Sequence, residues 1–156
     1  MIRTRFAVAV LWLLLVLFLG GTYFAAQETA RFVVPILRSL MPGAPVSQVQ
    51  AVHMVLRKVA HLTEYAVLAL LWFSAIVRVE GRTPRAASWA ALSICLVCAC
   101  ADEAHQSTLP TRQGSVRDVL IDAFGATAML TIARGRQGAA ASPEALGGPM
   151  AAEPAD

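Results

Sequence analysis

From Phe6 to Leu19 the chain carries no polar side chain, and as far as Ala26 only Thr22 and Tyr23 are mildly polar. The twenty-one residues Phe6–Ala26, at about 1.5 Å each, match a hydrocarbon layer roughly 30 Å thick. In that layer a segment must satisfy its own backbone N–H and C=O groups, which a lone run achieves only as an α-helix. Arg3 and Arg5 ahead of it also suit a cleaved leader. Cleavage after Ala26 would put bulky Phe24 where a small residue is preferred, and more apolar runs follow. A retained first helix is therefore expected.

Three further apolar runs, 60–77, 86–101 and 116–133, repeat the pattern. Composition agrees: 57% of residues are hydrophobic and 15% charged, with mean hydropathy +0.60, against about 25% charged in soluble domains. The expected fold is all-α, an integral membrane bundle of four transmembrane helices within residues 1–136, the first over about 6–26. Between the first two runs, Pro35, Pro42, Gly43 and Pro45 break a mixed segment. Phe32, Val33, Ile36, Leu37 and Leu40 form a short apolar stripe over about 30–41, suited to an interfacial helix or a plain connector. Ser47 followed by Gln50 resembles a capping box opening the next helix. Residues 137–156 are Gly-, Ala- and Pro-rich without periodicity and are expected to form a disordered cytoplasmic tail.

The net charge of +3 is spread over the ends of apolar runs and forms no continuous basic stripe, so no nucleic-acid partner is expected. Cys95, Cys98 and Cys100 share one apolar run with no second ligand pair nearby and read as packing residues.

Orientation follows from the basic residues. With the N-terminus cytoplasmic, that side holds Arg3, Arg5, Arg78, Arg82, Arg85, Arg134 and Arg136, against Arg31, Arg38, Arg57, Lys58, Arg112 and Arg117 opposite. Seven against six is a slight positive-inside bias. The second set coincides with Glu28, Glu64, Asp102, Glu103, Asp118 and Asp122, as an ion-paired site requires. Both termini are thus placed in the cytoplasm. In this layout the start of the second span, the end of the third and the start of the fourth share one membrane face. The stretches 57–65 and 102–122, distant in sequence, should meet near the outer leaflet.

Arg57, His61, Glu64 and Tyr65 share a helical face, with Lys58 beside it. An unpaired Glu64 inside an apolar run is costly, so an arginine partner is expected. Asp102, His105 and Gln106 repeat at three and four residues, with Glu103 alongside; Arg112, between Pro110 and Gly114, offers a planar fork suited to phosphate or carboxylate. Ser115 suits a helix N-cap with Asp118 as its box partner. Asp122 lies deeper, and Gly125 and Ala126 permit close helix approach.

Three functional classes follow. In the first, Arg57, Lys58, Tyr65, Glu103, Gln106, Arg112 and Asp118 hold an anionic ligand, oriented by His61, His105, Glu64, Asp102 and Asp122. In the second, these last five act in catalysis, a histidine serving as general base. Ser107, Thr108 and Thr111 are nearby hydroxyls, but no GxSxG elbow singles out a nucleophile. In the third, the charges only neutralise one another and fix packing. His61, His105, Glu64, Asp102, Asp118 and Asp122 offer metal donors, yet neither HExxH nor paired-cysteine spacing is present, so no metal or other cofactor is assigned.

RKVAHLTEYAVLAL at 57–70 and DEAHQSTLPTRQGSVRDVLIDAFGA at 102–126 resemble the VanZ-like family of bacterial integral membrane proteins. The family's Lys-x-x-His-x-x-x-Tyr pattern is matched by Lys58, His61 and Tyr65, and Asp-Glu-x-x-Gln by Asp102, Glu103 and Gln106. Pro110, Arg112 and Asp118 match a third element, and Asp122 with Gly125 a fourth. The resemblance implies a multi-pass protein of the bacterial cell membrane, with a lipid or lipid-linked cell-wall precursor as the partner class. The founding member is associated with low-level teicoplanin resistance. The resemblance implies an envelope protein more strongly than antibiotic resistance, and it names no reaction.

Overall fold

The computed structural model describes residues 2–110 and 114–141, all of them in helices and short connections. Five α-helices follow in order: α1 Ile2–Leu19, α2 Ala26–Leu40, α3 Val46–Ile76, α4 Pro84–Ser107 and α5 Val116–Ala141, with a single 3-10 turn at Thr22–Phe24. Arg112 and residues 142–156 of the expected tail lie outside the described residues.

Helices α1, α3 and α4 are long and apolar enough to cross a membrane. Helix α5, the fourth sequence candidate, is not among them. Between Asp122 and Arg134 it has only Ala123–Ala133 free of charge, about 16 Å of helix, rich in alanine and threonine. Its depth is set by packing: α5 lies mainly along α3 and also against α4.

The first helix stops at Leu19, seven residues short of the expected end. Gly20 is buried, and a Cβ there would run into the carboxylate of Asp102 on α4. The chain turns at this close approach and re-enters helix at Ala26. Helix α2 rests on α3 through buried Leu37 and leaves Phe32, Ile36 and Leu40 exposed. Helix α3 begins at Val46, with Pro45 in the N-cap position and no side-chain cap, so Ser47 does not form the expected box. At the start of α4, Thr83 Oγ1 accepts the Ala86 N–H at 3.2 Å, and Pro84 takes the first-turn position where its missing N–H costs nothing.

Helix α3 is the central element, contacting all four others. Ala69, Ala87, Ala91, Ala99, Ala126 and Ala133 dominate the core beside Tyr65, Leu68 and Phe73; lipid gives little hydrophobic drive between helices, so small side chains and close van der Waals contact hold them. Cys95 packs in this core, with Cys98 against it. The Trp12 indole N–H donates to the Glu64 carbonyl at 3.0 Å, tying α1 to α3.

Candidate functional site

His53, Arg57 and His61 recur every fourth residue on α3 and point to one side. His53 is buried, its Nε2 3.2 Å from Thr29 Oγ1 on α2. Arg57 Nη1 donates to the Phe24 carbonyl at 2.8 Å and to Thr29 Oγ1 at 3.3 Å. This guanidinium therefore fastens the start of α2 to α3. One position round, Lys58 Nζ pairs with Asp118 Oδ1 of α5. A turn further in, His61 Nδ1 lies 3.5 Å from Asp122 Oδ1, within ion-pair range but long for a hydrogen bond.

Helix α4 contributes Asp102, Glu103 and Gln106, all buried. They are on α4 itself because the helix runs to Ser107, six residues past the expected end of the third span. Gln106 Nε2 donates to Asp102 Oδ2 at 2.8 Å. Glu103 Oε2 accepts the Ser115 backbone N–H at 2.6 Å. Ser115 does stand at the N-cap position of α5, its carbonyl accepting the Asp118 N–H at 2.9 Å. The box partner expected from sequence, Asp118, is replaced by Glu103 from another helix because Asp118 turns to Lys58.

The two distant stretches therefore meet at one end of the bundle. Glu64 makes no ion pair among the described residues; instead of the expected arginine partner it faces a cavity. Tyr65 is fully buried in the core and walls neither cavity described below. His105 is exposed and takes no part in the buried cluster. Arg112, expected as the anion fork, is outside the described residues. Sequence reading missed His53, Thr29 and Gly20. For His53 the signal was present: it stands four residues before Arg57 and eight before His61.

Two cavities flank this cluster. One, of about 240 Å³, is mainly apolar, with Leu19, Phe24, Val33 and Leu56 in its wall and Glu64 and Asp102 on its polar side. The other, of about 550 Å³, is mainly polar, bounded by Lys58, Gln106, Ser115 and Asp118. Arg57 and His61 belong to both walls. The two cavities thus share a wall made by a guanidinium and an imidazole, one side of it mainly apolar and the other mainly polar. Beginning from His61 in that wall, His61, Glu103 and Asp122 each bring one donor atom within 4.8 Å of the others, a grouping with the chemistry of a metal site.

Residues 6–137, from α1 into α5, match the family model described as VanZ/LLP1. No curated protein and no solved structure matches the chain.

Proposed function

The chain belongs to the VanZ/LLP1 family, and from that premise we propose that it holds the anionic headgroup of an envelope lipid, or of a lipid-linked cell-wall precursor, in its polar chamber. The observation that carries this reading is the pairing of the two cavities across Arg57 and His61. Arg57 has five N–H donors, and only those on Nη1 go to described residues. The remainder are available to a phosphate or carboxylate. Lys58 adds positive charge at the same wall, partly offset by Asp118, and Arg112 stands in the sequence between Pro110 and Gly114 of that wall. The acyl part of the ligand occupies the apolar cavity toward α2, whose exposed Phe32, Ile36 and Leu40 suit a helix lying at the membrane interface.

The binding test uses purified protein in nanodiscs and native mass spectrometry, with phosphatidylglycerol competing against phosphatidylcholine. Wild type should retain the anionic lipid, and Arg57→Gln and Arg112→Ala should each weaken retention by about tenfold, the scale of one charge-assisted hydrogen bond. Unchanged preference in both variants argues for a purely structural charge network. If the occupant is a wall precursor, expression should alter teicoplanin susceptibility; unaltered susceptibility favours a phospholipid.

In this reading the bundle spans the membrane four times, α5 included, with both termini cytoplasmic and the chamber in the outer leaflet. Single cysteines at Gln27 and Val116, in a background without native cysteines, should then react with an impermeant thiol reagent from outside cells. One at Arg82 should not. Labelling of Gln27→Cys and Val116→Cys from opposite sides overturns the arrangement.

The spacing of His61 and Asp122 favours a second reading, in which a carboxylate-oriented imidazole activates a nucleophile on the bound lipid. Turnover of native envelope lipids followed by mass spectrometry, lost in His61→Ala, would select it over simple binding.

A further inference from the structure

We propose that His61, Glu103 and Asp122 bind a divalent transition-series cation, zinc or manganese, that joins α3, α4 and α5. This site does not depend on the lipid reading. Its donors come from three helices, and one atom from each lies within 4.8 Å of the others. The His61 Nδ1 to Asp122 Oδ1 separation of 3.5 Å matches the roughly 3.4 Å between two donors of a tetrahedral ion with bonds of about 2.1 Å.

A second observation, independent of this clustering, points to an ion. Asp122 is only 1% exposed, and neither of its carboxylate oxygens accepts a hydrogen bond from a described residue. Glu103 Oε1 and His61 Nδ1 are likewise buried without a hydrogen-bond partner. Buried carboxylate oxygens normally find donors, and those that do not call for a cation or a water. Of the described basic groups nearby, Lys58 goes to Asp118 and Arg57 to Phe24 and Thr29, so that only the imidazole of His61, at 3.5 Å, faces Asp122. Glu103 is meanwhile held in place through its other oxygen by the Ser115 N–H, which leaves Oε1 free to ligate.

The donor set selects the ion. One imidazole with two carboxylates suits zinc or manganese. A soft monovalent copper would want thiolates, and magnesium or calcium an all-oxygen shell. Three protein ligands leave a coordination position open, as in ligand-binding metal centres. His61 also walls both cavities, which gives the ion a route from the polar chamber.

The test takes full-length, tag-free protein in detergent, strips it with chelator, and offers zinc or manganese separately before gel filtration and elemental analysis. Wild type should retain one of the two stoichiometrically. Asp122→Asn and Glu103→Gln should bind it at least about tenfold more weakly, whereas Cys98→Ser/Cys100→Ser should bind as wild type does. Failure of wild type to retain either ion overturns the site. So does retention unaffected by both carboxylate variants, or lost with the thiols. Should the carboxylate variants fail to fold, X-ray absorption at the edge of the retained ion on wild type decides: imidazole nitrogen beside carboxylate oxygens in its shell supports the site, and a shell without imidazole nitrogen overturns it.

Discussion

Gly125→Leu is expected to leave little folded protein in a detergent extract, and what survives should melt about 10 °C below wild type. Gly125 is buried on α5, one turn beyond Asp122, facing α3. A Cβ at this position would clash with the backbone carbonyl oxygen of Leu62, the residue after His61. A side chain could swing away, but a helical carbonyl cannot, so α3 and α5 must separate. Overpacking that flexible side chains absorb already costs about 1–3 kcal/mol, and moving two helices costs more. Separation would also draw Asp122 from His61 and Asp118 from Lys58. Gly125→Ala, which supplies the Cβ alone, should show the same defect in milder form. Gly135→Leu is the control: it lies further along the same helix with open space around it, and leucine is the better helix former. Fluorescence-detected gel filtration and thermal melts read all three. Equal melting temperatures for Gly125→Leu and Gly135→Leu would mean that the two helices do not approach as closely as described.

That close approach was legible before any coordinates, because glycine and alanine beside Asp122 in an apolar run have few other uses. The meeting of 57–65 with 102–122 was legible too. Helices that alternate direction return every second end to the same face, and Lys58 with Asp118 realises that geometry. Hydropathy found the apolar runs but misjudged where helices stop. It carried the first helix through Gly20, since nothing in a run of leucines reports that a carboxylate eighty-two residues later needs that backbone. It also ended the third span at Ala101, because charged residues score as an exit even when they continue the helix on a buried face. Partners were the least legible feature. Charge gives Glu64 an arginine partner, yet Arg57, on the same helix, bonds the Phe24 carbonyl, an acceptor that sequence does not distinguish from any other.

Glu103→Ala is expected to loosen the start of α5 even where the rest of the bundle holds. The first N–H groups of a helix have no acceptor within it, and in a capping box the N-cap N–H is met by the carboxylate three residues on. Here that acceptor comes from α4, where Glu103 Oε2 sits 2.6 Å from the Ser115 nitrogen. Truncation to alanine strands the Ser115 N–H in a half-buried turn, at a cost of about 1–3 kcal/mol. It also removes the bond joining the end of α4 to the first turn of α5, where Asp118 takes its bearing toward Lys58. Glu103→Gln separates the two contributions of this side chain: its amide oxygen still accepts the N–H, though more weakly than a carboxylate, while the charge is gone. On protein stripped of metal, amide hydrogen exchange should therefore run fastest in the alanine variant over residues 116–120, and stay near wild type in the glutamine variant. Equal acceleration in both would assign the stabilisation to charge at this position instead of to the hydrogen bond. Protection unchanged in both would mean that α5 is held by its packing on α3 and α4 and not by this side chain.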